Sequence, residues 1–273
     1  MERIVIGPSQ INSGFVSEAT SGDLRAMNHY KALGAKVDYV SYCHHTALVG
    51  AARHGHLDVV NRLAELGAKI DHVDSDRKTA LMYAAEHGHL DVVNRLVQLG
   101  ANIDQRNLSG DTALMMTVGA GYLDGVNRLV ELGASINAQD HTGGTALIWA
   151  VRSRRLCIVD RLIELGANIH HLTNNGENAL MLAGSLGFLD IVNRLVERGA
   201  TINHANNDGD TVLTLAAAHG HSDVVNRLVE LGANIHHANN NGGTALTLAA
   251  NNGYADVTYA LLQADPTVNG MMR

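Results

Sequence analysis

The feature that most constrains the fold is a motif that returns every 33 residues without an insertion or a deletion. A short motif, Thr-Ala-Leu or a close variant, marks each start, and a Gly-His, a Leu-Asp-Val-Val-Asn-Arg-Leu and a Leu-Gly-Ala follow at fixed distances. A constant period of this size predicts a linear stack of small repeats, because one globular core would not impose it. The seven starts are Thr46, Thr79, Thr112, Thr145, Asn178, Thr211 and Thr244.

One repeat, beginning at residue 107, shows the local structure that the pattern predicts. Residues 107–110 are turn formers, and Thr112 suits a helix N-cap, where its hydroxyl accepts from a backbone amide. A short helix is expected to end near Gly121. A second helix, from Leu123 to about Leu132, carries apolar residues at helical spacing, and Gly133 suits its C-terminal cap. Each repeat therefore reads as a turn followed by two helices.

These residues resemble the ankyrin repeat, and the resemblance covers nearly the whole chain. The period, the Thr-x-Leu start, the Gly-His between the helices and the Leu-Gly-Ala ending all agree with that family. The resemblance implies an all-α fold: an ankyrin-repeat solenoid of stacked helix pairs with β-hairpin-like loops. In this chain Ala usually follows the capping residue where the family has Pro, and Ala still favours the helix start.

The register of the period predicts the domain organisation. Residues 1–12 are expected to form an N-terminal extension and residues 13–273 a single ankyrin-repeat domain. Within it, residues 13–45 form a degenerate N-cap repeat, residues 46–243 six full repeats and residues 244–273 a C-cap repeat. Atypical terminal repeats are expected because the ends of a stack must shield its core from water.

Composition excludes several classes of function. The net charge is −7, so the chain lacks the basic field of a general nucleic-acid binder. Cys43 and Cys157 lie far apart and form no disulfide framework, and the N-terminal sequence has no long apolar run. We therefore expect a cytoplasmic protein, without a nucleic-acid, membrane or small-molecule ligand; if it is an effector, it would act in the cytoplasm of a host cell.

Recurring Arg and His residues have structural explanations. One Arg per repeat follows an Asp by four residues on the second helix, as in Asp58 and Arg62, which is typical of a solvated surface that links neighbouring repeats. The His-Gly-His motifs, as at His54 and His56, place their second His in the turn that serves the ankyrin fold. Partners at metal-ligand spacing are missing around them, so no metal site is expected.

No constellation of residues predicts catalysis. Cys43 precedes two His residues, but the sequence supplies neither an orienting third group nor oxyanion donors for a nucleophile there. We therefore expect a protein that is not an enzyme and that uses no cofactor.

The residues that vary between repeats are the candidate binding surface. Ankyrin proteins grip partner proteins with their turn tips and with the inner face of the first helix. On those positions the chain carries aromatic and charged residues of the types enriched in interfaces. Tyr83 and Trp149 could equally fill space between repeats, since Leu occupies their position in later repeats. The predicted partner-binding residues are Tyr42, Asp76, Lys78, Tyr83, Glu86, His87, Asp111, Met116, His141, Trp149, Arg152 and Arg155.

Two further predictions follow from the resemblance. Asn137 and Asn203 stand where ankyrin proteins can be hydroxylated by an asparaginyl hydroxylase.

The predicted function is a non-catalytic protein–protein interaction scaffold that binds a partner protein on the concave ankyrin surface. The alternative is the targeting or substrate-recruiting portion of a larger bacterial effector or enzyme, because the repeat endings resemble those of effectors from intracellular bacteria.

Overall fold

A computed structural model describes residues 7–42 and 44–265, and helices joined by short turns account for this part of the chain. Cys43, residues 1–6 of the predicted extension and residues 266–273 of the predicted C-cap repeat lie outside the described residues. The sixteen helices of the described part are α1 (Pro8–Ser21), α2 (Leu24–Ala32), α3 (Ala47–Arg53), α4 (Leu57–Glu65), α5 (Ala80–Glu86), α6 (Leu90–Gln98), α7 (Ala113–Ala120), α8 (Leu123–Glu131), α9 (Ala146–Arg152), α10 (Leu156–Glu164), α11 (Ala179–Ser185), α12 (Leu189–Glu197), α13 (Val212–Ala218), α14 (Ser222–Glu230), α15 (Ala245–Asn251) and α16 (Ala255–Ala264). The predicted all-α fold of stacked helix pairs is confirmed.

The chain divides into two compact units, an N-terminal unit that ends at Asp140 and a C-terminal unit that begins at His141. In the N-terminal unit the first helices α1, α3, α5 and α7 stack in one row, and α4 packs on α6. In the C-terminal unit α9, α11, α13 and α15 form one row and α10, α12, α14 and α16 the other. Helix α1 has 14 residues and begins at Pro8, upstream of residue 13, where the sequence period places the degenerate repeat.

Threonine hydroxyls set the first residue of most first helices, as predicted. Thr112 accepts from the backbone amide of Met115 at 3.4 Å, and Asn178 does the same for Met181 at 2.9 Å. Each such cap contributes about 1 kcal/mol of helix stability. Thr145 is the exception, because its side chain makes no capping bond to α9. Equivalent caps come from Thr46, Thr79, Thr211 and Thr244.

The Gly-His turns hold neighbouring repeats together. Gly187, in the equivalent Gly-Phe turn, has a φ of 72°, and a Cβ on it would lie 2.5 Å from His221 Nδ1, so both the backbone and the space favour glycine. His221 Nε2 lies 3.0 Å from the carbonyl oxygen of Ser185 in the preceding repeat. Equivalent contacts join His56 to Thr20 and His89 to Arg53. The predicted structural role of the second His is confirmed.

Arginines on the second helices link successive repeats. Arg62 donates through Nε to Asn28 in the preceding repeat at 3.0 Å, and through Nη1 to Glu65 at 2.9 Å. The bonds therefore run to the Glu three residues later and to the previous repeat, whereas the sequence suggested the Asp four residues earlier. Corresponding links join Arg95 to Asn61, Arg128 to Asn94 and Arg227 to Asn193. The interpretation of these arginines as a surface that links repeats is confirmed.

Candidate functional site

Acidic or amide side chains close two turn tips of the N-terminal unit. In the tip of residues 74–78, the amide of Asp74 donates to the carbonyl of Lys78 at 3.1 Å. Asp74 Oδ1 accepts from the amides of Asp76 and Lys78 at 2.9 and 2.8 Å. Asn107 closes the tip of residues 107–111 in the same way. Side chains that project from these tips are therefore held in place by the backbone beneath them.

A chain of hydrogen bonds connects this tip to helix α5 and to the preceding tip. Tyr83 Oη donates to Asp74 Oδ2 at 2.7 Å, and His45 Nε2 lies 3.2 Å from the same hydroxyl. Because a carboxylate only accepts, the phenol proton points to Asp74, and His45 donates its Nε2 proton to the phenol oxygen. The Tyr83 residue is 7% exposed and the Asp74 side chain 2%, so the bond between them is buried, whereas the His45 side chain is 23% exposed.

Burial decides the protonation of these groups. Burial, reinforced by the bond to Asp74, raises the pKa of Tyr83 above its ordinary value, so the phenol stays protonated. Burial also lowers the pKa of His45 below 6.5, and the nearby Asp74 carboxylate only partly opposes this effect. Near neutral pH, His45 is therefore a neutral donor and Tyr83 a neutral link to the Asp74 carboxylate.

Two cations lie over the Tyr83 ring. The Lys78 ammonium is 5.3 Å and the Arg53 guanidinium carbon 5.6 Å from its centre, within the range of cation–π attraction. Lys78 Nζ also pairs with Glu86 Oε2 at 3.1 Å. These contacts hold the half-buried Lys78 and Glu86 side chains in place, and their charges remain partly accessible.

The predicted binding residues of the N-terminal unit occupy different depths. Tyr42 is 92% exposed, and Asp76 and His87 are also exposed. Met116 and Asp111, like Tyr83, are buried, and Asp111 accepts from the Asn107 amide group at 2.9 Å. The buried members position their neighbours. The exposed and half-buried members supply the accessible surface.

An open groove of about 640 Å³ lies beside His45, the residue that bonds Tyr83, in the N-terminal unit. Ser17 and Thr20 of α1 line one part of it, and His45 and His54 line another. His54 Nδ1 bonds the carbonyl of Gly50 at 3.0 Å, which leaves its other ring nitrogen toward the exposed surface. The groove adds surface with several hydroxyl groups to the first repeats.

In the C-terminal unit the turn tips bond to one another. The side-chain amide of Asn174 donates to the carbonyl of His141 at 2.9 Å. Asn207 donates to Asn174 at 3.0 Å, and Asn240 to Asn207 at 2.9 Å. Short antiparallel bridges also close the last two tips, at Ala205–Thr211 and Ala238–Thr244. These asparagines, which look monotonous in sequence, form a ladder that stabilises the row of tips.

Three predicted residues of the C-terminal unit lie on α9 or in the turn between α9 and α10, and His141 lies in the tip before α9. Trp149 is half-buried on α9, whereas Arg152 and Arg155 are exposed, as is His141. Arg154, between the two arginines, has its guanidinium carbon 5.0 Å from the centre of the Phe188 ring. This group combines an aromatic ring with three positive charges in one short segment.

Comparison with known proteins decides the family. A model of the family described as "Ankyrin repeats (3 copies)" matches residues 17–107, 99–173, 156–239 and 180–270. The chain belongs to the ankyrin repeat family. Ankyrin repeats are a general protein–protein interaction module and are typically non-catalytic.

A solved structure supports the assignment of this ankyrin repeat protein. This chain is similar to the "Crystal structure of human ASB11 ankyrin repeat domain", with a TM-score of 0.72 and 28% sequence identity. The match covers 81% of this chain and 98% of that chain. No curated protein sequence matches the chain.

Across residues 7–42 and 44–265, no helix combines the length and the apolar content needed to cross a membrane. In the same part of the chain, His, Cys, Asp and Glu side chains do not gather in groups of three or more that could hold a metal ion.

The predicted hydroxylation positions are both on the surface of this ankyrin repeat protein. Asn137 is exposed and lines an open groove of about 530 Å³ together with Asp104 and Arg106. Asn203 is exposed, and its side-chain oxygen accepts from the amide of Asn234 in the next repeat at 2.9 Å. Hydroxylation of either residue stays a prediction.

Sequence reasoning missed Asp74, although a signal for it existed. Asp or Asn recurs at the same position of the period in residues 74, 107, 140, 206 and 239, which marks the side chain that closes each tip. What the period could not show is the second role of Asp74. Tyr83 on the following helix donates to the second carboxylate oxygen of Asp74, at 2.7 Å.

Proposed function

We propose that this ankyrin repeat protein is a non-catalytic scaffold that binds a partner protein on one surface of its N-terminal unit. We call this the N-terminal surface. It comprises the tip residues Tyr42, Asp76, Lys78 and Leu108, together with Glu86 and His87 at the end of α5. One observation carries the proposal: Tyr42, at 92%, has the highest exposure of any large hydrophobic side chain in the described part of the chain.

Comparison of equivalent positions supports this choice. Tyr42 and Leu108 occupy the tip position that Asn174, Asn207 and Asn240 occupy in the C-terminal unit. The asparagines bond the preceding tip, and neither Tyr nor Leu can donate such an amide bond. Leu108 is 56% exposed. Since these side chains do not replace the ladder, their large apolar groups fit a role in binding.

The charges around the tips favour a specific partner over a general one. Asp76 is exposed. Lys78 and Glu86 form a half-buried ion pair at 3.1 Å, and the Lys78 ammonium also lies over the Tyr83 ring. Charges of both signs in fixed positions select a partner with the opposite arrangement and raise the rate of correct encounters. The hydrogen bonds that close the tip of residues 74–78 also reduce the conformational entropy that this tip loses on binding.

A tip exchange tests the proposal. In the variant Tyr42→Asn with Leu108→Asn, the N-terminal unit receives the residues that the C-terminal unit carries at those tips, so the fold is expected to persist. The matched control is Tyr259→Asn, which removes a tyrosine that is 65% exposed on α16. Each protein is immobilised and exposed to cell extract, the retained proteins are identified by mass spectrometry, and the candidate partner is purified for measurement of Kd.

The expected result is a partner that wild type and Tyr259→Asn retain and that the double variant loses. We expect Kd to rise by about tenfold or more when two central anchors are removed. Equal retention by the double variant, with its circular dichroism unchanged, would show that the partner binds elsewhere.

A further inference from the structure

The turn between α9 and α10 departs from the other turns between paired helices. Arg154 has a φ of 51°, in the left-handed region, where the Cβ of any residue except glycine meets the backbone. In every other turn of this kind in the described residues, the same position is a glycine with positive φ. These glycines are Gly22, Gly55, Gly88, Gly121, Gly187, Gly220 and Gly253. The fold alone therefore favours glycine at position 154, and the arginine costs stability.

The contacts of Arg154 do not explain its presence. Its side chain is 62% exposed, with the guanidinium over the Phe188 ring and Nε 4.0 Å from Asp190 Oδ2. A solvated pair at that distance contributes little to stability. These contacts instead orient the guanidinium, because the Phe188 ring covers one of its faces and the N–H groups at its edge remain accessible.

The neighbouring arginines also differ from most of the equivalent residues. Arg155 stands where other repeats carry a ring, such as His89 or His221. Arg152 stands where the two adjacent repeats carry Gly119 and Ser185, although Arg53 is a second arginine at this position. Arg152 and Arg155 are both exposed. Within the described part of the chain, Arg152 makes no side-chain hydrogen bond or ion pair. Three arginines thus fall within one segment of four residues, although the net charge of the whole chain is −7.

Trp149 lies three residues before Arg152 on α9, so the two side chains project from neighbouring positions of one helix face. The indole is half-buried, which leaves part of its apolar surface beside the guanidiniums. Trp and Arg are the residue types most enriched among the residues that dominate binding energy.

We propose that Trp149, Arg152, Arg154 and Arg155 form a docking surface, the arginine patch, for an acidic segment of a protein. Carboxylates of the segment bind the guanidiniums in the two-bond geometry that their planar groups favour, and an apolar side chain packs on Trp149. A carboxylate-rich segment fits better than a nucleic acid, because a long polyanion would also meet the acidic remainder of the chain. This proposal rests on the proposed function only in assuming that the ligand is a protein. The arginine patch and the N-terminal surface share no residue.

The test uses the whole chain and a defined probe. The probe is a fluorescein-labelled synthetic peptide in which Glu residues flank a single Leu, and the control peptide has Gln in place of each Glu. Binding is measured by fluorescence anisotropy at two salt concentrations. The test variant, Arg152→Ser with Arg154→Gly and Arg155→His, gives each position a residue that another repeat carries there. The control variant, Arg227→Gln, removes an arginine of the C-terminal unit that bonds Asn193 and Glu230.

We expect wild type and Arg227→Gln to bind the Glu peptide, more weakly at higher salt, and to bind the Gln peptide much less. The triple variant should bind the Glu peptide about tenfold more weakly or not at all, which corresponds to about 1.4 kcal/mol or more. Arg154→Gly alone should weaken binding and yet raise the temperature of unfolding, because glycine relieves the left-handed backbone. A residue that serves the fold would give the opposite change in unfolding temperature.

Four results would overturn the proposal. These are unchanged binding by the triple variant, equal binding of the Gln peptide, a lower unfolding temperature of Arg154→Gly, and clearly tighter binding of a phosphoserine peptide or an oligonucleotide of equal charge. The last result would assign the arginine patch to phosphate. Because the N-terminal surface is unchanged in these variants, partner retention through Tyr42 and Leu108 can fail or persist independently of this outcome.

Discussion

Replacing Tyr83 by Phe removes one hydroxyl and keeps the ring. The lost bond is short, 2.7 Å, and its acceptor is the Asp74 carboxylate, whose side chain is only 2% exposed. Hydrogen bonds to charged groups contribute about 1.5–3 kcal/mol, and a buried acceptor left without its donor gives the upper part of that range. His45 loses its partner as well. We therefore expect Tyr83→Phe to destabilise the N-terminal unit by about 2.5 kcal/mol.

The assay must report on the N-terminal unit, since stacked repeats can unfold in parts. Hydrogen exchange followed by mass spectrometry meets this need: the amides of Asp76 and Lys78, which both donate to Asp74 Oδ1, should exchange faster in Tyr83→Phe. Urea unfolding followed by circular dichroism gives the free energy. Tyr42→Phe is the matched control, because its exposed hydroxyl should contribute almost nothing. A loss below about 0.5 kcal/mol, with exchange at the tip unchanged, would refute the reasoning.

Three further changes test other parts of the account. Gly187→Ala should destabilise the C-terminal unit by more than about 1 kcal/mol in urea unfolding, because the φ of 72° is strained for alanine and its Cβ would collide with His221; a neutral result would contradict the close approach. Arg154→Gly should stabilise by about 1 kcal/mol, the cost of a left-handed residue with a Cβ, and a loss of stability would show that its contact with the Phe188 ring matters more. His45 has a lowered pKa, so the unfolded chain takes up its proton first, and stability is lost as the pH falls below about 6.5 towards the folded pKa. His45→Asn should therefore lose less stability than wild type between about pH 7 and pH 5, and equal losses would show that His45 is not the group that titrates.

The parts of the fold that sequence predicted are those set by local, repeated chemistry. The Thr112 cap, the glycine of each Gly-His turn and the inward His221 depend on residues at a fixed distance in the period, so one repeat explains the others. The direction of the arginine bonds was different from the expectation. Arg62 reaches Asn28 in the preceding repeat, and a pattern within one helix does not reveal a partner 34 residues earlier.

The candidate site was only partly predictable, because exposure depends on neighbouring repeats. Asp111 reads as a charged tip residue in sequence, yet Asn107 draws its carboxylate into the turn. In sequence, Tyr83 suits either a partner-binding residue or one that fills space between repeats. Its hydrogen bond to Asp74 gives it a third role, which is to stabilise the turn tip of residues 74–78. The asparagine ladder gave no sequence signal of its own, since Asn174 and its equivalents suit any turn.

The central claim is that a partner protein lies against the tips of the N-terminal unit, and site-specific photo-crosslinking tests it most directly. A photoreactive phenylalanine analogue replaces Tyr42 in one variant and Tyr259 in another, and each is irradiated with the purified partner. Both positions are exposed tyrosines, so the comparison isolates location. The account predicts a covalent product from position 42 and none from position 259. A bound partner that crosslinks from position 259 and not from position 42 would contradict it.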